Sequence, residues 1–283
     1  MPITQYALPG AAVYPEGITL GPADDYFVGS SADGTIFRGR LTEETASVWL
    51  PPDPDRAVAL GLTTYESQLL VCGGKTGLFH AYDVETRALV ARQAVDGYLN
   101  DVWVSGDHAF VTDSSQPIVW RFDLRAIEAP PDSIRLPRAG YLNGITAQDG
   151  VLYVADQGDE VLWRIDPDGS AAVIATDYAA DGLLLVDDLL IGVCNRGETA
   201  QTAEFFLSML RLTADGRAIP LGEHTDPRFA TPTTLALAGD RLLVVNAQFG
   251  RRPDPVLPFT VLVLEWARLG SQTVDEASRL LRG

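Results

Sequence analysis

The chain has 283 residues, 46% of them hydrophobic, with 38 acidic against 21 basic side chains and a formal net charge of −17. A surface this acidic repels phosphate backbones and anionic lipid, which argues against nucleic acid and membranes as partners and leaves a small-molecule substrate. No run of eighteen apolar residues suggests a membrane helix, Met1-Pro2-Ile3-Thr4 lacks the basic-then-apolar pattern of a leader, and Cys72 and Cys194 are too few for a disulfide framework, so we expect buried, reduced thiols in a cytoplasmic protein.

Along the chain, short apolar or alternating runs are punctuated by Asp-Gly, Gly-Asp and Pro, which are strand and turn signals. Six segments align in order: Glu16-Gly17-Ile18, Leu60-Gly61-Leu62, Asn100-Asp101-Val102, Asn143-Gly144-Ile145, Asp181-Gly182-Leu183 and Thr233-Thr234-Leu235. Each is followed by a second apolar strand, at Phe27-Val28, Leu70-Val71, Phe110-Val111, Tyr153-Val154, Leu190-Ile191 and Leu243-Val244. Third strands follow in most repeats, for example Ile118 to Asp123 and Val161 to Asp166. Fourth strands are weaker, as befits a solvent-facing edge, for example Ala57 to Leu60 and Ala171 to Ile174. A unit of several strands recurring about every forty residues is the signature of a β-propeller.

We therefore predict an all-β, six-bladed β-propeller with four antiparallel strands per blade. It would be a single domain over residues 1–283, with blades starting near residues 14, 58, 98, 141, 179 and 231. Residues Ile3 to Leu8 would add the outer strand of the last blade and close the ring. In the tail, residues 266–283, Thr273-Val274-Asp275-Glu276 resembles a capping box, with Val274, Ala277, Leu280 and Leu281 at helical spacing; a short C-terminal helix is expected there.

The first strand of each blade lines a propeller's central channel, so the residues opening those strands form a ring: Glu16, Leu60, Asn100, Asn143, Asp181 and Thr233. Four of the six are oxygen donors. Converging carboxylates and carboxamides with no cation among them would be costly to bury. A hard divalent cation resolves this, calcium above all, with magnesium, manganese or zinc as alternatives; zinc would favour His or Cys, and His80, His108 and His224 fall outside the ring. Asn143-Gly144 and Asp181-Gly182 are also ordinary hairpin dipeptides. What favours a metal is that four donors share one repeat position while Leu60 and Thr233 show that the turn does not require them.

The ordered motifs Tyr14-Pro15-Glu16-Gly17, Leu99-Asn100-Asp101, Leu142-Asn143-Gly144 with Leu152-Tyr153-Val154-Ala155-Asp156, and Ala180-Asp181-Gly182-Leu183 resemble the SMP-30/gluconolactonase/LRE-like family over about the whole chain. That family is similar in turn to the calcium-dependent phosphotriesterases. The resemblance implies a six-bladed propeller with a channel cation and hydrolysis of lactones or related esters. It further implies that Glu16, Asn143 and Asp181 are metal ligands, that Asn100 is a ligand or substrate contact, and that Asp181 doubles as general base or nucleophile. Where sugar-lactone hydrolases of the family tend to carry an Arg two residues before the blade-three Asn, this chain has Tyr98. Tyr14 and Tyr141 stand at the same offset, so the three tyrosines are expected to favour a substrate less polar than an aldonolactone.

Two long loops between second and third strands should rim the site: Cys194 to Gln201 and Asn246 to Pro258. Arg196 and Gln248 are candidate substrate contacts, with Thr233 from the ring; Arg251 and Arg252 read as solvated loop residues. Two other functions are compatible with the pattern. One is a non-hydrolytic biosynthetic enzyme using the same pocket, and the other a non-catalytic binding module with a structural metal.

Overall fold

The computed structural model describes residues 2–197, 202–267 and 269. Its strands form six four-stranded antiparallel sheets. Innermost to outermost, the first blade is Pro15–Leu20, Asp25–Ser30, Ile36–Arg40 and Ser47–Leu50, and the second is Leu62–Tyr65, Gln68–Cys72, Leu78–Asp83 and Leu89–Ala94. The third is Leu99–Ser105, His108–Asp113, Ile118–Asp123 and Asp132–Arg135, and the fourth Leu142–Gln148, Val151–Asp156, Val161–Ile165 and Ala171–Thr176. The fifth is Ala180–Val186, Leu189–Arg196, Glu204–Leu212 and Ala218–His224. The sixth takes Pro232–Ala238, Arg241–Asn246 and Phe259–Glu265 from the end of the chain and its outer strand, Gln5–Leu8, from the beginning. The innermost strands pack side by side round the channel, and the sixth returns to the first. This is the six-bladed propeller that the repeat predicts, closed by the early strand as expected.

The burial pattern explains why the second strands read as unbroken apolar runs. A blade is covered on both faces by its neighbours, so strands such as Gln68–Cys72 and Arg241–Asn246 are buried on both sides. The core is accordingly six clusters, each spanning one junction between adjacent blades. Phe27, Ile36 and Trp49 of the first blade meet Leu62, Leu69 and Tyr82 of the second; Tyr26 and Phe37 of the first meet Leu243 and Phe259 of the sixth. Tyr6 and Leu8 of the closing strand are fully buried in that last cluster.

One expectation needs revision. Ala57 to Leu60 is not the outer strand of the first blade. That strand is Ser47–Leu50, and residues 57–60 instead carry the chain inward to the second blade, with the Ala59 amide donating to the Ser30 carbonyl at 2.9 Å. An apolar run is as easily a covered connector as a strand, which is why pattern alone misplaced it. The helix expected around Thr273 to Leu281 lies outside the described residues. Cys72 and Cys194 are buried free thiols. Among the described residues no helix is long and apolar enough to cross a membrane.

Candidate metal centre at the channel mouth

Five of the six innermost strands share one irregularity. The register shifts between Pro15 and Ile18, Leu99 and Val102, Leu142 and Ile145, Ala180 and Leu183, and Pro232 and Leu235. In each, two residues stand opposite one on the partner strand, which is a β-bulge and re-aims a side chain. Glu16, Asn100, Asn143 and Asp181 are the first bulge residues, and all four line one cavity of about 540 Å³ at the channel mouth. The second bulge residue meets the next blade. A Cβ on Gly17 would stand 2.1 Å from the Leu60 carbonyl oxygen, and one on Gly144 would stand 2.3 Å from that of Asp181. Asn143-Gly144 and Asp181-Gly182 are thus not hairpin turns; their glycines are there for close packing.

Each carboxamide is held through hydrogen bonds of its own. The Asn100 Nδ2 donates to Ser114 Oγ at 2.8 Å and approaches Tyr141 Oη at 3.5 Å, and Ser114 in turn donates to the Leu142 carbonyl at 2.6 Å. The Asn143 Nδ2 donates to Gln157 Oε1 at 3.2 Å, and the same amide hydrogen-bonds the Asp181 carboxylate. Thr233, the ring residue of the sixth blade, is fully buried and donates to the Glu16 carbonyl at 2.8 Å. Two oxygens at this spot are buried without a partner: Glu16 Oε2 and Asn100 Oδ1.

The electrostatics point the same way. Burial pushes the Glu16 carboxyl well above the usual range, and the charges of Asp181 and Asp101 push it further. Burial and Asp101 raise Asp181 to about 8, against the hydrogen bond from Asn143. Asp101, one residue deeper, is raised to about 6 by burial although the amides of Val102 and Ile145 donate to it at 2.8 and 3.2 Å. Among the described residues no three His, Cys, Asp or Glu side chains surround a single point. The set present, two carboxylates and two carboxamide oxygens, is the oxygen-only kind that suits calcium rather than zinc. An orphaned buried polar atom costs about 1–3 kcal/mol, so two of them among crowded carboxylates fit a cation held by Glu16, Asn100, Asn143 and Asp181.

Calcium is accordingly expected to raise the melting temperature, and more at about pH 8 than at about pH 5.5. A carboxyl whose pKa is raised by folding adds stability in full below its unfolded value, near 4, and loses it as pH rises through the folded value, about 8 for Asp181. A calcium ion held here would take the ionised pair and so would have to displace protons at lower pH. Calorimetric melts with and without calcium at the two pH values check this; a shift independent of pH contradicts it.

The remaining candidates separate into wall and support. Tyr98 and Tyr141 line the cavity, their ring centroids 6.1 Å apart. Tyr14 does not. Its ring packs edge-on against Phe259 at 5.1 Å and lies under the Arg252 guanidinium at 4.3 Å. Arg196 also falls away from the cavity, stacked on Phe206 at 4.2 Å and paired with Glu204 and Glu223, because the long strand Leu189–Arg196 carries it past the mouth. Gln248 clamps its own loop through the Val256 amide and carbonyl, each at 2.8 Å. Arg252, by contrast, lines the cavity. Gln157 and Ser114 were not singled out from sequence; the signal available was that each closely follows a buried acid, Asp156 or Asp113, at the end of a second strand. Those acids are themselves clamps: Asp156 accepts from the Tyr141 amide at 2.8 Å and Asp113 from that of Tyr98 at 3.0 Å, fixing the approach to each ring residue.

No family model and no curated protein matches the sequence. Among solved structures the chain is similar to virginiamycin B lyase from Staphylococcus aureus, at 12% identity and a TM-score of 0.65 over 92% of this chain and 98% of that one. It is similar to a streptogramin B lyase at 11% identity and 0.66, over 92% and 96%. It is also similar to hydrazine synthase of Kuenenia stuttgartiensis at 14% identity and 0.64, over 93% and 80%. At these identities the likeness is one of fold, a propeller that supports enzymes of unlike chemistry.

Proposed function

We propose that this chain is a calcium-dependent hydrolase of lactones or related esters, built on the plan of the SMP-30/gluconolactonase family that its motifs resemble. The observation that carries the reading is the pair of orphaned oxygens, Glu16 Oε2 and Asn100 Oδ1, on the floor of an open cavity beside Asp181. A bound calcium would polarise the substrate carbonyl and its attacking water as a Lewis acid. The protein supplies the rest. Asp181 accepts the proton of the attacking water, and the hydrogen bond from Asn143 keeps its carboxylate aimed. Ser114 and Gln157 hold the two carboxamides in place, and Thr233 fixes the backbone of Glu16.

The walls set the substrate class. Val58, Leu60, Tyr98, Phe205 and Phe249 put apolar surface at several points round the cavity, between its polar groups. Apolar lactones and aryl esters should therefore turn over faster than glucono-1,5-lactone, and EDTA should abolish the activity. A panel of lactones and esters assayed with EDTA and after restoring calcium tests the reading. If no member shows EDTA-sensitive hydrolysis, a binding module or non-hydrolytic enzyme takes its place.

A further inference from the structure

We propose that Arg252 makes an anion-binding subsite at the rim of the cavity, so that the substrate is an apolar lactone or ester bearing one carboxylate. This rests on the hydrolase reading for the word substrate, but the subsite itself stands on the arginine's surroundings. The Arg252 guanidinium lies over two rings, Tyr14 at 4.3 Å and Phe249 at 4.8 Å, and its Nη2 donates to Ser31 Oγ at 3.2 Å. Contact with two rings and the bond to Ser31 restrain the fork while leaving most of its N–H groups free to donate.

The arginine is also without an acid. Arg164, Arg196 and Arg228, like most arginines in this acidic chain, are paired with a carboxylate. Arg252 has no carboxylate partner among the described residues, although it shares its cavity with Glu16 and Asp181. Nor does it compensate those two: the charges that act on them are their own and that of Asp101. It lines the same cavity as the ring of donors without being engaged by a carboxylate there, and is available to something that enters.

A planar, pre-oriented guanidinium matches a carboxylate with two parallel hydrogen bonds. A singly charged group is favoured over a dianion, because a net charge of −17 and two cavity carboxylates repel each added negative charge. The apolar side chains among the lining, Leu60, Tyr98, Phe205 and Phe249, accept a ring, giving a molecule with a carbonyl for the donors and a carboxylate for Arg252.

The test uses phthalide-3-carboxylate and its neutral counterpart phthalide-3-carboxamide, titrated calorimetrically into the calcium-loaded protein. The acid should bind about tenfold tighter, the usual worth of a hydrogen-bonded charge pair. Arg252→Gln should bring the acid down to the affinity of the amide while leaving the amide unchanged, and Arg252→Lys should keep part of the preference. A wild-type protein that binds the acid no tighter than the amide, or not at all, overturns the subsite, as does a preference that survives Arg252→Gln. The two readings fail separately. Acid preference without EDTA-sensitive hydrolysis keeps the subsite and sinks the hydrolase, whereas hydrolysis of neutral lactones without acid preference sinks the subsite alone.

Discussion

Asp181→Asn is expected to lower turnover about a hundredfold or more on any substrate the wild type hydrolyses, the usual contribution of general acid–base catalysis. The same substitution should weaken calcium only modestly, because the amide keeps an oxygen of similar shape at the ring. Asp181 is well placed for the role: it lines the cavity as a carboxylate held by the hydrogen bond from Asn143, beside the other oxygen donors of the ring. The measurement is kcat on the best substrate of the panel beside calcium affinity by calorimetry. Full turnover in the variant would remove Asp181 from the chemistry while leaving the ring of ligands intact.

Gly17→Ala should cost about 3 kcal/mol of stability, the upper part of the range for forcing a methyl group into a packed interior. The added Cβ would meet the Leu60 carbonyl oxygen at 2.1 Å and its carbon at 2.9 Å, both backbone atoms of the next blade. Neither can swing aside as a side-chain end could. The first and second blades would have to part, and Glu16 would move with its neighbour. Chemical denaturation should show a lower midpoint, and calcium affinity should fall together with it. A variant as stable as the wild type would mean the junction is looser than the contact distances indicate.

The fold was largely legible because its signal is repeated. An apolar second strand appears in all six blades for one reason, burial on both faces by the neighbouring blades. The ring was legible as a repeat position too, although the cause was misread: Asn143-Gly144 resembles a hairpin dipeptide, but Gly144 is needed where the Asp181 carbonyl comes close. What single positions cannot reveal is direction. Arg196 and Arg252 were expected on equivalent long loops, yet the strand Leu189–Arg196 runs on to carry one outward to Glu223, while the other lies in a loop and contacts aromatic rings beside the cavity. Ser114 and Gln157 gave no periodic signal, since each acts through one hydrogen bond to one amide.

The pairing of Gln5–Leu8 with Phe259–Glu265 has a consequence for synthesis. The early strand leaves the ribosome long before its partner; at about 5–20 residues per second the wait is on the order of tens of seconds. Throughout it, Tyr6 and Leu8, side chains that end fully buried, have only the first blade to meet, where Ala7 exchanges backbone hydrogen bonds with Glu44 and Ala46 at 2.8 and 2.9 Å and Tyr6 packs on Tyr26. The five blades between can assemble in order, each on the one before, but the circle cannot be locked until translation reaches Phe259–Glu265. Those first-blade contacts hold the short strand in place while its free edge waits for Phe259–Glu265, and that edge is the one open meanwhile to pairing with another copy.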